Sequence, residues 1–198
     1  MKKTSYGQNY SFTLVDKLGV YLSNRKIISY VKKNRPKRII DIGCGYNAII
    51  LQQLKKYSKH LTGIDVSINK NIEGVEIIKK RIDDNLLFLK DKSADLIILN
   101  SVLEHLDSPL EILKETYRVL DKGGGLIINV PNWRGKYFLE FSAFRLGLSP
   151  SEEIDDHKMY YDKKDLWPLL VRVGFKPSNI ILKYHKFNLN TLSYAIKK

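Results

Sequence analysis

Cysteine is almost missing from this chain: its 198 residues contain one, Cys44. No internal disulfide can form, and no Cys/His cluster has zinc-finger spacing, so disulfide-stapled and zinc-ribbon scaffolds are excluded. Long apolar runs are also absent. Nothing approaches the roughly 20 residues that cross a bilayer. The N-terminus, Met1-Lys2-Lys3-Thr4-Ser5-Tyr6-Gly7, lacks the apolar core of a secretion signal. A cytoplasmic location is the expectation. No internal repeat or low-complexity linker is found. With 43% hydrophobic and 28% charged residues, disordered and fibrous classes fall away, and one domain spanning 1–198 is expected. Acids are scarce, 21 against 34 Lys and Arg, for a net charge of +13. The first forty residues hold ten basic side chains against Asp16 alone. Such a face is either simply solvated or a dock for anions such as nucleic acid or acidic lipid.

What is present is a rhythm. Residues 10–34 place Phe12, Val15, Leu18, Leu22, Ile27, Ile28 and Val31 at roughly helical spacing, and Pro36 closes that stretch. This gives an N-terminal basic helical segment over 1–35. Short β-rich runs then alternate with longer helical stretches, the pattern of βαβ units. Strands are expected near 38–42, 60–64, 75–79, 95–99 and 126–130. The runs at 95–99 and 126–130 are apolar on both faces, which places them centrally in a parallel sheet. A helix near 162–173 and two β-type runs at 179–185 and 190–196 follow, the latter pair forming an antiparallel hairpin.

The first strand ends in Asp41-Ile42-Gly43-Cys44-Gly45-Tyr46-Asn47-Ala48. Glycines let backbone approach a ligand, and an acid 20 residues on, Asp65, suits ribose hydroxyls. A nicotinamide-dependent oxidoreductase therefore competes. Asp41 speaks against it, because a carboxylate there repels a doubly charged pyrophosphate and attracts a cationic cofactor. S-adenosylmethionine (SAM) carries a sulfonium, an ammonium and a ribose.

Here the sequence resembles the class I SAM-dependent methyltransferases, in their small-molecule branch, over roughly residues 36–185. Asp41-Ile42-Gly43-Cys44-Gly45 looks like the family's first motif and Gly63-Ile64-Asp65-Val66-Ser67 like its second. Ile82-Asp83-Asp84-Asn85-Leu86-Leu87 is similar to the stretch lying against adenine. Leu99-Asn100-Ser101-Val102-Leu103-Glu104-His105-Leu106 looks like the fourth-strand motif, and Arg118 to Gly125 like the turn into the fifth strand. The resemblance implies an α/β, Rossmann-like seven-stranded sheet, mostly parallel, with helices on both faces and a C-terminal antiparallel strand. It implies cofactor contacts from Asp41, Gly43, Cys44, Gly45, Asp65, Val66, Asp83 or Asp84, Asn100 and Ser101. The third glycine often seen in the first motif is Asn47 here, a residue that tolerates positive φ.

His157 and His105 are the candidate bases. Asp155 and Asp156 beside His157 are expected to orient its imidazole and raise its basicity. Residues 131–161 are expected to cover an acceptor, with Trp133, Arg134 and Tyr161 as contacts. The aromatic residues among them also suit an amphipathic helix against core or membrane surface. The expected reaction is methyl transfer to a small, anionic or sugar-like acceptor, such as a nucleotide sugar or glycan intermediate. An RNA methyltransferase using the basic face and a non-catalytic SAM-binding module are the alternatives beside the oxidoreductase. No Pro-Pro-aromatic segment follows Asn100, which disfavours methylation of exocyclic nitrogens on DNA. The single cysteine disfavours covalent attack on pyrimidines.

Overall fold

The computed structural model describes residues 5–8, 13–82, 86, 88–145 and 155–198. Its strands are β1 (Arg38–Ile42), β2 (His60–Asp65), β3 (Glu76–Lys79), β4 (Ala94–Asn100), β5 (Leu120–Pro131), β6 (Ile180–His185) and β7 (Asn190–Ile196). They form one seven-stranded sheet in the order β3-β2-β1-β4-β5-β7-β6. The first five are parallel, while β7 runs antiparallel to both β5 and β6. All seven runs read from the sequence are strands. β4 and β5 lie inside the sheet, as their two-sided apolar character requires.

Among the described residues, five α-helices flank the sheet: α1 (Leu14–Asn34), α2 (Ile49–Leu54), α3 (Pro109–Val119), α4 (Trp133–Phe144) and α5 (Lys163–Arg172). Alternation along the strands divides the core in two. Ile40, Ile42, Ile97, Leu99 and Ile128 meet α3 and α5 through Ile112, Leu113, Leu166 and Leu170. Ile39, Leu96, Ile98 and Ile127 meet α1 and α2 through Ile27, Val31, Leu51 and Leu54. Asp41 shares its face with Ile39, under α1 and α2.

α1 starts at a capping box, in which Asp16 N–H donates to Thr13 Oγ1 at 3.1 Å and Thr13 N–H donates to Asp16 Oδ2 at 3.0 Å. It ends where Arg35 turns left-handed ahead of Pro36. The apolar stripe read from sequence is only half used. Ile27 and Val31 are buried, whereas Leu18 is half exposed and Ser23 and Asn24 turn inward. The physical reason is that the first half of α1 faces a cavity rather than the sheet. Lys17, Arg25, Lys26, Lys32 and Lys33 all project into solvent. No helix among the described residues is long and apolar enough to cross a membrane.

Arg118, part of the motif before β5, holds the approach to β4. Its guanidinium donates to the carbonyls of Leu86 and Leu89, to Glu115 at 2.8 Å and to Asp91. Hydrogen bonding to Arg118 holds the Glu115 carboxyl below its ordinary range. A depressed folded-state value means stabilisation that is complete above the unfolded value and lost as pH falls through the folded one. We expect the melting temperature to drop on acidification through the carboxylate range, and Arg118→Met to flatten that drop. The substitution should also cost about 1.5–3 kcal/mol at neutral pH, the loss of charged hydrogen bonds. Thermal melts at stepped pH check both.

Candidate active site

The carboxyl ends of β1, β2 and β4 open onto a cavity of about 420 Å³, where ligands bind in open α/β sheets. Asp41, Gly43, Cys44, Gly45, Asp65, Val66, Asn100, Ser101, His105 and His157 all line it. Side chains from well-separated segments of the chain thus meet at one place.

The turn after β1 is not an anion cradle. The N–H groups of Gly43 and Cys44 donate to the Ile64 carbonyl at 2.8 and 3.2 Å. Gly45 N–H donates to Asp65 Oδ2 at 2.8 Å, and Tyr46 N–H to the Tyr6 carbonyl at 3.0 Å. These successive donors are committed to protein oxygens, so a pyrophosphate would find none of them. Gly43 has φ +74°, and a Cβ there would overlap Val102; only glycine fits. The left-handed residue after Gly45 is Ala48, at φ 43°, rather than Asn47. The missing third glycine therefore costs the turn nothing at position 47.

Asp41 is 1% exposed, and its Oδ1 has no hydrogen-bond partner among the described residues. Burial, reinforced by the nearby Asp65 charge, pushes its carboxyl well above the ordinary range. An uncompensated buried acid calls for a cation or a donor. Asp65 accepts from Val66 N–H at 2.7 Å and from the Ser5 hydroxyl. Ser5 thus places a hydroxyl on the carboxylate to which the sequence assigns ribose hydroxyls. Burial and the same two acids raise the Cys44 thiol, so it stays protonated, as a residue lining the turn should.

Asn100 accepts from Asn129 Nδ2 at 2.9 Å, and Asn129 in turn reaches Ser23 of α1 at 3.1 Å. Ser101 follows in a left-handed conformation, φ 58°, at the cavity mouth, where such strain often marks function. A 3-10 turn, Leu103–His105, comes next. The carbonyl of Glu104 accepts from Lys158 N–H at 2.8 Å, which draws the 156–160 segment against this turn. His105 and His157 consequently stand edge to face, 4.8 Å between ring centroids.

One orientation differs from the expectation. Asp156 holds His105, with Oδ2 3.1 Å from Nδ1. His157 Nδ1 faces the Tyr160 hydroxyl at 3.2 Å instead. The chain bends at the Lys158 and Glu104 contact, so the carboxylate and the neighbouring imidazole point to different partners. Trp133 and Arg134 begin α4 outside the cavity lining, Trp133 packing on Tyr160 at 5.7 Å between centroids. Tyr161 is a core residue with its hydroxyl toward the Leu103 carbonyl. Phe138 and Leu139, one turn further along α4, line the cavity instead. Asp83 and Asp84 lie outside the described residues.

Sequence reasoning passes over Glu104 and Lys186. Glu104 is 1% exposed with Oε2 unpartnered among the described residues, and burial lifts its carboxyl to about 8. Lys186 lines the same cavity from the β6–β7 turn, where Lys186, Phe187 and Asn188 are all left-handed. Burial lowers its ammonium to about 8. Glu104 is legible as half of a Glu-His pair, but nothing in sequence marks a turn lysine as facing inward.

An open α/β sheet with this strand order, a glycine turn without free phosphate donors and an unpaired acid beside it is the architecture of the class I methyltransferase fold. The chain belongs to the methyltransferase-domain family, whose model matches residues 19–178, and SAM is the cofactor of that fold. It is 26% identical over 175 residues to human arsenite methyltransferase, covering 72% of this chain and 42% of that protein. It is 29% identical over 159 residues to an uncharacterised protein of Methanocaldococcus jannaschii, covering 75% and 70%. Its structure matches a SAM-dependent methyltransferase from Archaeoglobus fulgidus with a TM-score of 0.66 at 20% identity, covering 89% of this chain and 94% of that one. The chain thus spans less than half the length of the arsenite methyltransferase it resembles. Family membership decides against the oxidoreductase reading.

Proposed function

We propose that this chain transfers the methyl group of SAM to a small, anionic or sugar-like acceptor bound in the same cavity. The unpaired Asp41 carboxyl carries the cofactor half of this reading. Asp41 receives the cationic end of SAM, Asp65 its ribose hydroxyls, and Gly43, Cys44, Gly45, Val66, Asn100 and Ser101 frame it. SAM brings a methyl group on a positively charged sulfur, already activated for displacement. The chain's own task is to align donor and acceptor and to exclude water.

The acceptor half rests on the other wall. Phe138 and Leu139 of α4 line the cavity together with Lys186 and Phe187 of the β6–β7 turn. Apolar side chains with the half-buried Lys186 ammonium among them suit an acceptor carrying a negative group. A hydroxyl acceptor in this slot would lie beside Glu104, His105 and His157, which line the same cavity.

Calorimetry with SAM, S-adenosylhomocysteine and NAD tests the cofactor assignment. Binding of the first two without the third is expected, and tight NAD binding without SAM would reverse it. Methyl transfer to small anionic or sugar acceptors should exceed transfer to RNA. Label incorporation into RNA with a steep fall in salt would favour the nucleic-acid reading instead.

A further inference from the structure

The strongest unassigned feature is a group of ligating side chains lining the cavity, the buried Glu104 beside the half-buried His105 and His157. Ligand atoms of Glu104, His105 and His157 all lie within 4.8 Å of one another. Bonds of about 2.0–2.2 Å to nitrogen and oxygen place ligand atoms within about 4 Å of each other, so small rotamer adjustments close the set. We propose that Glu104, His105 and His157 hold a divalent transition-metal ion at the floor of the acceptor pocket. This deepens the methyl-transfer reading and rests on it.

Three observations carry it. Two imidazoles and one carboxylate form the donor set of catalytic zinc and related sites that keep positions open for substrate. Glu104 Oε2 is buried with no hydrogen-bond partner among the described residues, a costly state that an ion resolves. Both imidazoles are already oriented through Nδ1. His105 Nδ1 is held by Asp156 at 3.1 Å, the carboxylate–histidine arrangement that supports metal ligands. His157 Nδ1 faces Tyr160 at 3.2 Å. Nε2 is the ligating atom assigned to each.

The two imidazoles select zinc, cobalt or a similar ion over magnesium, which prefers oxygen. An acceptor hydroxyl entering an open position on the ion gives its proton to solvent more readily. Its oxygen then forms the bond to the methyl carbon as the carbon–sulfur bond breaks, releasing the neutral thioether. Lys186 is the competitor, since its ammonium faces Glu104 and attracts the same carboxylate.

The test is calorimetry and metal analysis on the tag-free, chelator-treated full chain with Zn²⁺, Co²⁺ and Mg²⁺ in turn, with SAM affinity measured in parallel. One Zn²⁺ or Co²⁺ per chain is expected, with visible Co²⁺ bands and negligible Mg²⁺ binding. Asp156→Asn should weaken Zn²⁺ by about 10–100-fold, and Glu104→Gln and His157→Ala by at least as much, with SAM affinity unchanged. Lys186→Met should bind Zn²⁺ at least as tightly as the parent. Absence of stoichiometric Zn²⁺ or Co²⁺, unchanged affinity in a folded His157→Ala chain, or loss of the ion in folded Lys186→Met would overturn the metal site. If SAM still binds in those cases, only the metal inference falls; if SAM fails to bind the parent chain, the proposed function falls.

Discussion

Asp41→Asn should weaken SAM binding by roughly 10- to 150-fold while raising the melting temperature of the ligand-free protein. The affinity range follows from the roughly 1.5–3 kcal/mol of a hydrogen bond to a charged group, at tenfold per about 1.4 kcal/mol. The opposite sign for stability follows from burial. Asp41 is shut away from water beside Asp65 with one oxygen unpartnered, so a neutral isostere relieves both desolvation and repulsion. Calorimetry with SAM and melts with and without it measure the two effects together. The acid should also make binding depend on pH. Its free-state value is raised, and a bound cation lowers it, so affinity is greatest above the free-state value and declines as pH falls through it. The Asp41→Asn variant should lose that dependence. Unchanged SAM affinity in Asp41→Asn would refute the assigned contact.

Gly135→Ala should lower the melting temperature by several degrees, although alanine is the better helix former by up to about 1 kcal/mol. A Cβ at position 135 would run into the Leu189 carbonyl. That oxygen is fixed, because Leu189 O accepts from Asn132 N–H at 3.0 Å, and Asn132 Nδ2 donates to the Asn188 carbonyl at 2.9 Å. The same asparagine caps α4 by accepting from Gly135 N–H at 2.9 Å. The helix start and the β6–β7 turn therefore press backbone to backbone, and forcing them apart costs about 1–3 kcal/mol. At roughly 2–4 °C per kcal/mol for a chain of this size, the drop is about 2–12 °C. Phe138 and Leu139 would move away from Lys186 and Phe187, so acceptor KM should rise more than SAM affinity changes. A rise in melting temperature would show that helix propensity outweighs the clash.

Much of the cavity wall formed by the β1 turn and the end of β2 is legible in the sequence. The runs at 95–99 and 126–130 lie inside the sheet because two-sided apolar strands need cover on both faces. Asp41, Gly43 and Asp65 are readable because a turn and its acids lie at fixed offsets from strand ends, which local spacing records. α1 is readable only in part. Its apolar spacing runs through Leu18, but half of that helix borders a cavity, and spacing alone does not distinguish a sheet from an opening.

The wall of the cavity around Glu104, His105, His157 and Lys186 depends on contacts between distant segments. The sequence by itself determined the order of strands and helices, the glycine turn and the acids that flank it, since hydrophobic period and backbone freedom are local properties. Only the tertiary structure decided that Glu104 is buried, that Asp156 orients His105 rather than His157, and that Lys186 turns inward. Each of these follows from which backbone hydrogen bonds join the 103–105 turn, the 156–160 segment and the β6–β7 turn, and burial of that kind leaves no periodic trace along a chain.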